Sequence, residues 1–224
     1  MTAVMKDARR QGPNTGRDQN GPRYSLPPLE YKYTALEPVL SGEIIELHYA
    51  VHHAAYVKGA NKAADDLVEA RSGKHYDTIA KLERDLVFHF SGHVLHSLLW
   101  KNLSPRGGGQ PDGDLADAID HHFGSLEAFR AQMNAVCETL QGSGWGALCW
   151  DPLGRQLLIE QVRDHHNNIG RCTLPILVID MWEHAYYLQF RSRKEAWLAA
   201  YWQLIDWQDV GRRFATVRQT GIGL

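Results

Sequence analysis

Three short segments combine imidazole and carboxylate chemistry with helical spacing. In LHYAVHHAAY (47–56), His48 and His52 lie four residues apart and share one helix face. In FHFSGHVLHSLLW (88–100), His93 and His96 lie three apart and likewise share a face. In VIDMWEHAYY (178–187), Asp180 ends an apolar run and His184 follows four residues later. A donor set of one carboxylate and several imidazoles suits iron, manganese or zinc, and the distant cysteines argue against a structural zinc site. Any one of these histidines alone is more often a satisfied core or surface residue than a ligand. Three clusters on apolar, aromatic-rich segments favour a metal. The spacing leaves open which histidines bind it and what reaction follows.

Such a site needs elements that bring the three segments together. Ser41-Gly42-Glu43 opens a helical pattern in which Ile44, Ile45, Leu47, His48, Val51, His52, Ala55 and Tyr56 recur at threes and fours. A second pattern runs from Tyr76 to Asn102. With roughly 15 residues of mixed polar chain between them, the two helices form an antiparallel α-hairpin. The Gly- and Pro-rich stretch LSPRGGGQPDGD (103–114) is the clearest boundary. Beyond it, Leu115–Phe123 and Ser125–Leu140 read as helices, WGALCW and RQLLIEQV as strands around the turn DPLG, and LPILVID (174–180) as a buried strand. The tail, Trp182–Gln189 and Lys194–Phe214, reads as helical and aromatic. The fold class is α+β: an α-hairpin domain (23–110), then an α/β domain (111–224) whose short three-stranded antiparallel sheet is flanked by helices. Residues 1–22 are polar without apolar period and read as a disordered arm, and YSLPPLEYKYTALEPVLS as an extended surface lead-in.

Composition excludes several classes. The 224 residues carry 24 basic and 26 acidic side chains, net charge −2, so no bulk charge favours nucleic acid. No stretch of 18 apolar residues exists to cross a membrane. Three cysteines without CxxC spacing fit a reducing compartment, and Arg9–Arg10 is followed by no hydrophobic stretch, so a cytoplasmic location is expected. Twelve histidines and seven tryptophans are many for this length, and both are clustered.

From Tyr24 to Arg218 the chain resembles the iron/manganese superoxide dismutase family. The resemblance rests on YSLPPLEYKYTALEP, on HxxxHHAAY at 48–56, GHVLHSLLW at 92–100 and LSPRGGG at 103–109, and on FGSLEAF, QGSGWGAL at 141–148 and DMWEHAYYLQ at 180–189. It is most similar to the actinobacterial iron-type members. The resemblance implies an enzyme that converts superoxide to dioxygen and hydrogen peroxide by cycling one iron or manganese ion per chain between 3+ and 2+. It implies His48, His96, Asp180 and His184 as ligands, Tyr56 and His52 lining the substrate funnel, and His165 as the hydrogen-bonding residue outside the ligands. Trp100, Trp145 and Trp182 would wall the site. Glu183 and Tyr187 would reach across a homodimer interface, with a tetramer as the larger alternative, the glutamate of one subunit bonding His184 of the other. With His165 in that loop and Gly92 at the other position the family uses for a glutamine, iron is expected over manganese.

Some positions depart from the family pattern. Tyr49 stands for a histidine, and Val51 for a lysine whose charge would help attract superoxide. These changes would suit a dismutase-fold metalloprotein recruited to another oxidation, the alternative function. A non-catalytic metal binder would be expected to have lost a ligand or Tyr56, and this chain has lost neither.

Overall fold

In the computed structural model, residues 23–222 are described; the arm expected at 1–22 lies outside them. Helix α1 (Gly42–Glu46) starts where the Ser41 hydroxyl accepts the Ile44 amide, and runs through a π-helical segment, Leu47–His53, into α2 (Ala54–Gly73). Its partner α3 (Ile79–Asn102) returns antiparallel. The connection is far shorter than expected, because α2 continues through the stretch read as polar linker. Its buried side is a stripe of Val57, Ala60, Ala63, Leu67 and Ala70, whose alanines let the helices approach closely. The stop comes at Lys74, which takes a left-handed conformation (φ 54°), while the His75 amide bonds the Ala70 carbonyl.

The second half begins with α4 (Gly113–Phe123) and α5 (Leu126–Glu138), the latter capped by Ser125. Strands β1 (Gly144–Asp151), β2 (Gln156–Arg163) and β3 (Leu174–Asp180) form an antiparallel sheet in the order β2-β1-β3. The central strand is buried from Gly144 to Trp150. A Cβ on Gly146 would lie 2.4 Å from the Cys137 sulfur, so α5 packs directly on the backbone of β1. The register pairs Trp145 with Asp180, which sets that carboxylate at the end of β3 beside the start of the central strand.

Two sequence expectations need correction. The stretch Lys194–Phe214, read as helical throughout, is two helices. After the short α6 (Tyr187–Phe190), α7 (Lys194–Tyr201) stops and α8 (Trp207–Val217) starts anew, its Asp206 side chain accepting the Asp209 amide. The break serves a pairing that sequence periodicity cannot report. The Ser104 amide bonds the Leu204 carbonyl (2.8 Å), Gly108 bonds Ile205 (2.9 Å), and Asp206 bonds Asn102 (2.8 Å). Gly107 is required at this crossing, since a Cβ there would sit 2.2 Å from the Leu204 carbonyl oxygen. The lead-in is not wholly on the surface either: a 3-10 turn at Tyr33–Leu36 turns Leu36 inward, and Leu36 and Leu40 join the core.

Asn102, fully buried at the end of α3, ties the halves together. Its amide nitrogen donates to the Ile176 carbonyl (3.1 Å) and to Asp209 (3.1 Å), and its oxygen accepts the Val178 amide (3.1 Å). Asn102→Ala strands several buried partners and is expected to cost about 3 kcal/mol, a fall in Tm of about 6–12 °C. Calorimetry reads this directly, and an unchanged Tm would mean that water replaces the amide.

Candidate metal centre

His48 comes from the π-helical segment, His96 from α3, Asp180 from the end of β3, and His184 from the 3-10 turn Glu183–Ala185. One ligand atom of each lies within 4.8 Å of all the others. His48 Nε2, His184 Nε2 and His96 Nε2 approach Asp180 Oδ2 at 3.1, 3.3 and 3.8 Å. None of these approaches has hydrogen-bond geometry, so all four atoms are buried and unpartnered. Leaving four such atoms together is costly in a folded chain unless a cation joins them. The set of three imidazoles, one carboxylate and no thiolate fits iron or manganese.

The surroundings orient the four atoms. The His96 Nδ1–H donates to the Gly92 carbonyl (2.7 Å), which leaves the lone pair on Nε2. Asp180 Oδ1 accepts the Trp182 amide (2.8 Å) and its backbone carbonyl accepts the Trp197 indole (2.9 Å), leaving Oδ2 for the cluster. Burial lowers the His48 pKa to about 4 against the opposing pull of Asp180, so this imidazole is neutral at pH 7. Burial alone would raise the Asp180 pKa, but the close approach of the His184 and His48 imidazoles outweighs it and holds the carboxyl well below its usual range.

The other expected residues surround the cluster. The His52 ring stacks on His184 at 4.2 Å, beside the cluster rather than in it. Tyr56 packs against His96 (5.0 Å) and His165 (4.5 Å). Burial raises its pKa, helped by Asp180 and Asp164, so the phenol keeps its proton. His165 follows Asp164, whose left-handed backbone (φ 52°) turns the chain inward. The Trp145 indole donates to His165 Nδ1 (3.0 Å), so the hydrogen sits on Nε2, which has no partner. Burial lowers the His165 pKa to about 3 and keeps the ring neutral. Gly92 is closed to any side chain, because a Cβ there would meet the Tyr56 ring at 2.8 Å.

Trp100 lies edge-on to His48 (4.9 Å), Trp145 edge-on to His96 (5.0 Å), and Trp182 stacks on both His165 (4.6 Å) and His184 (5.5 Å). His93, read from its spacing as a partner of His96, faces away from the four ligand atoms toward His53. His53 is the residue that the sequence reading missed. Tyr49 finds its use as an anchor, its hydroxyl donating to the Pro27 carbonyl (2.8 Å). Val51 is 54% exposed and brings no charge. Glu183 and Tyr187 are exposed, on the side where His184 keeps 13% of its side-chain surface.

A helical hairpin and a three-stranded α/β unit that share a three-histidine, one-aspartate cluster define a mononuclear redox-metal protein. Sequence comparison gives the family. Residues 23–104 match the iron/manganese superoxide dismutase alpha-hairpin domain, and residues 111–213 match the C-terminal domain of the same family. The chain belongs to the iron/manganese superoxide dismutase family and is, with it, an oxidoreductase. It is 50% identical to the superoxide dismutase [Fe] of Mycobacterium tuberculosis strain H37Rv, over 90% of this chain and 97% of that one. It is 48% identical to the superoxide dismutase [Mn/Fe] of Propionibacterium freudenreichii subsp. shermanii (87% and 98%). It is 49% identical to the superoxide dismutase [Mn] of Nocardia asteroides (90% and 97%).

Proposed function

We propose that His48, His96, Asp180 and His184 hold one iron ion per chain, with manganese the alternative, and that superoxide is converted there to dioxygen and hydrogen peroxide. The observation that carries this reading is the convergence of four buried, unpartnered donor atoms from four segments. A metal able to take the 3+ and 2+ states would supply the one-electron chemistry. The residues supply the rest. Three neutral imidazoles and one carboxylate give a donor set of net charge −1, which suits both oxidation states. The His165 Nε2–H is a free donor beside the cluster, and Tyr56, whose phenol keeps its proton, packs its ring against the cluster's His96 and against His165. The tryptophans keep bulk water from the rest of the perimeter. The departure at Val51 leaves every ligand in place, which favours dismutation over another oxidation.

The iron preference is supported by His165 as the donor outside the ligands and by the name of the Mycobacterium tuberculosis relative; the Nocardia asteroides relative carries manganese in its name. The test is to reconstitute metal-free protein with each metal and compare activity per bound ion. Higher activity with iron is expected, and equal or higher activity with manganese would overturn the preference.

We infer further that the chain is a homodimer, with a tetramer as the larger option, through the surface around Glu183 and Tyr187. Tyr187 and Leu188 are both more than 40% exposed there, next to the incompletely covered His184. Light scattering should find a dimer at micromolar concentration that Glu183→Ala weakens, and an active metal-loaded monomer would contradict it. The free thiols Cys137, Cys149 and Cys172 support a cytoplasmic location. No helix among the described residues is long and apolar enough to cross a membrane.

A further inference from the structure

A polar contact between the two hairpin helices lies beside the ligands and uses two histidines that are not ligands. His53 is fully buried at the last position of the π-helical segment, five residues after His48. His93 stands on α3 three residues before His96. The Trp100 indole donates to His53 Nδ1 (2.9 Å), and an indole N–H can only donate. The remaining hydrogen of His53 is therefore on Nε2, which donates to His93 Nδ1 (2.8 Å). One donor thus fixes the tautomers of both imidazoles, in a directed chain that runs Trp100, His53, His93.

Both ligands of the hairpin rest on this chain. The His53 ring stacks on His96 (5.4 Å, 23° between planes), and Trp100 lies edge-on to His48 (4.9 Å). Elsewhere the hairpin is held largely by the Val57, Ala60, Ala63, Leu67 and Ala70 stripe. Apolar contacts are non-directional and change little when one helix slides along another, whereas a directed hydrogen bond does not tolerate a slide. We propose that His53 and His93 are positioning residues: a latch across the hairpin that fixes the separation and aim of the His48 and His96 donor atoms and so controls how firmly the metal is held. The inference rests on the metal-site reading given above. Partners that orient ligands from outside are worth about 10–100-fold in metal affinity.

The test uses the full-length iron-loaded protein and follows iron loss to a chelator together with the ferric electron paramagnetic resonance signal. His93→Leu removes the acceptor for His53 and is expected to lose iron about 10–100-fold faster, with an altered ferric signal. His93→Asn places an amide oxygen where Nδ1 stood and should restore both readouts toward wild type. Trp100→Phe keeps an aromatic ring but removes the donor that fixes the tautomers, and it should behave as His93→Leu does; this variant decides the matter if His93→Leu does not fold. A merely structural pair would lower the melting temperature of the metal-free protein without changing iron loss or the signal. Wild-type iron loss and an unchanged signal in His93→Leu and Trp100→Phe would overturn the latch alone. A wild-type chain that holds no metal sensitive to Asp180→Ala would overturn the metal-site reading, and the latch with it.

Discussion

Asp180→Ala is expected to abolish stoichiometric metal binding and superoxide dismutation together while the chain stays folded. Asp180 contributes the single anionic donor, and its Oδ2 is the atom that the Nε2 atoms of His48, His96 and His184 approach at 3.1, 3.8 and 3.3 Å. Without it, three neutral imidazoles face a 2+ or 3+ ion with nothing to offset its charge. The loss should exceed the roughly 10–100-fold that partners outside the ligand set are worth. The fold has less at stake. Ala retains the backbone carbonyl that accepts the Trp197 indole and the pairing of residue 180 with Trp145, and it loses only the bond from the Trp182 amide. Metal analysis and circular dichroism on one sample check this. A folded Asp180→Ala protein with one tightly bound ion and full turnover would show that the site has been assigned to the wrong residues.

Metal loading should raise the melting temperature strongly. Four buried polar atoms without partners are a standing cost in the metal-free chain, and a ligand that binds only the folded state adds stability by mass action. At free metal about 1,000 times Kd the gain is about 4 kcal/mol. For a chain of this length that corresponds to about 8–16 °C in Tm. Calorimetry of metal-free and reconstituted protein measures it, with Asp180→Ala as the control that should gain little. An equal gain in the variant would place the stabilising ion elsewhere.

Much of this arrangement was legible in the sequence, for physical reasons that also explain the rest. Asp180 and His184 could be read because an apolar strand ending in a carboxylate leaves few places for it to go. The two long helices and the three strands follow from ordinary periodicity. His53 could not be read, because a helical period of 3.6 gives His48 and His52 a common face and turns His53 away. The π-helical closure of Leu47–His53, residue i to i+5, re-phases the run so that His48, His52 and His53 all touch other imidazoles of the site. Nothing in the residue types of LHYAVHH announces that change. The extension of α2 to Gly73 was hidden for another reason. Its buried side is mostly alanine, which carries little apolar signal, while Lys58, Asn61, Lys62, Asp65, Asp66 and Glu69 make the stretch look like polar linker. The break between α7 and α8 depends on pairing with residues about 100 positions away, which no local pattern contains.

The most direct test of the central claim is a titration of metal-free protein with ferrous iron under anaerobic conditions, with superoxide decay followed at each point. The account predicts that the decay rate rises in proportion to bound iron and levels off at one ion per chain. Decay that does not depend on bound metal, or that reaches its plateau at another stoichiometry, would contradict it.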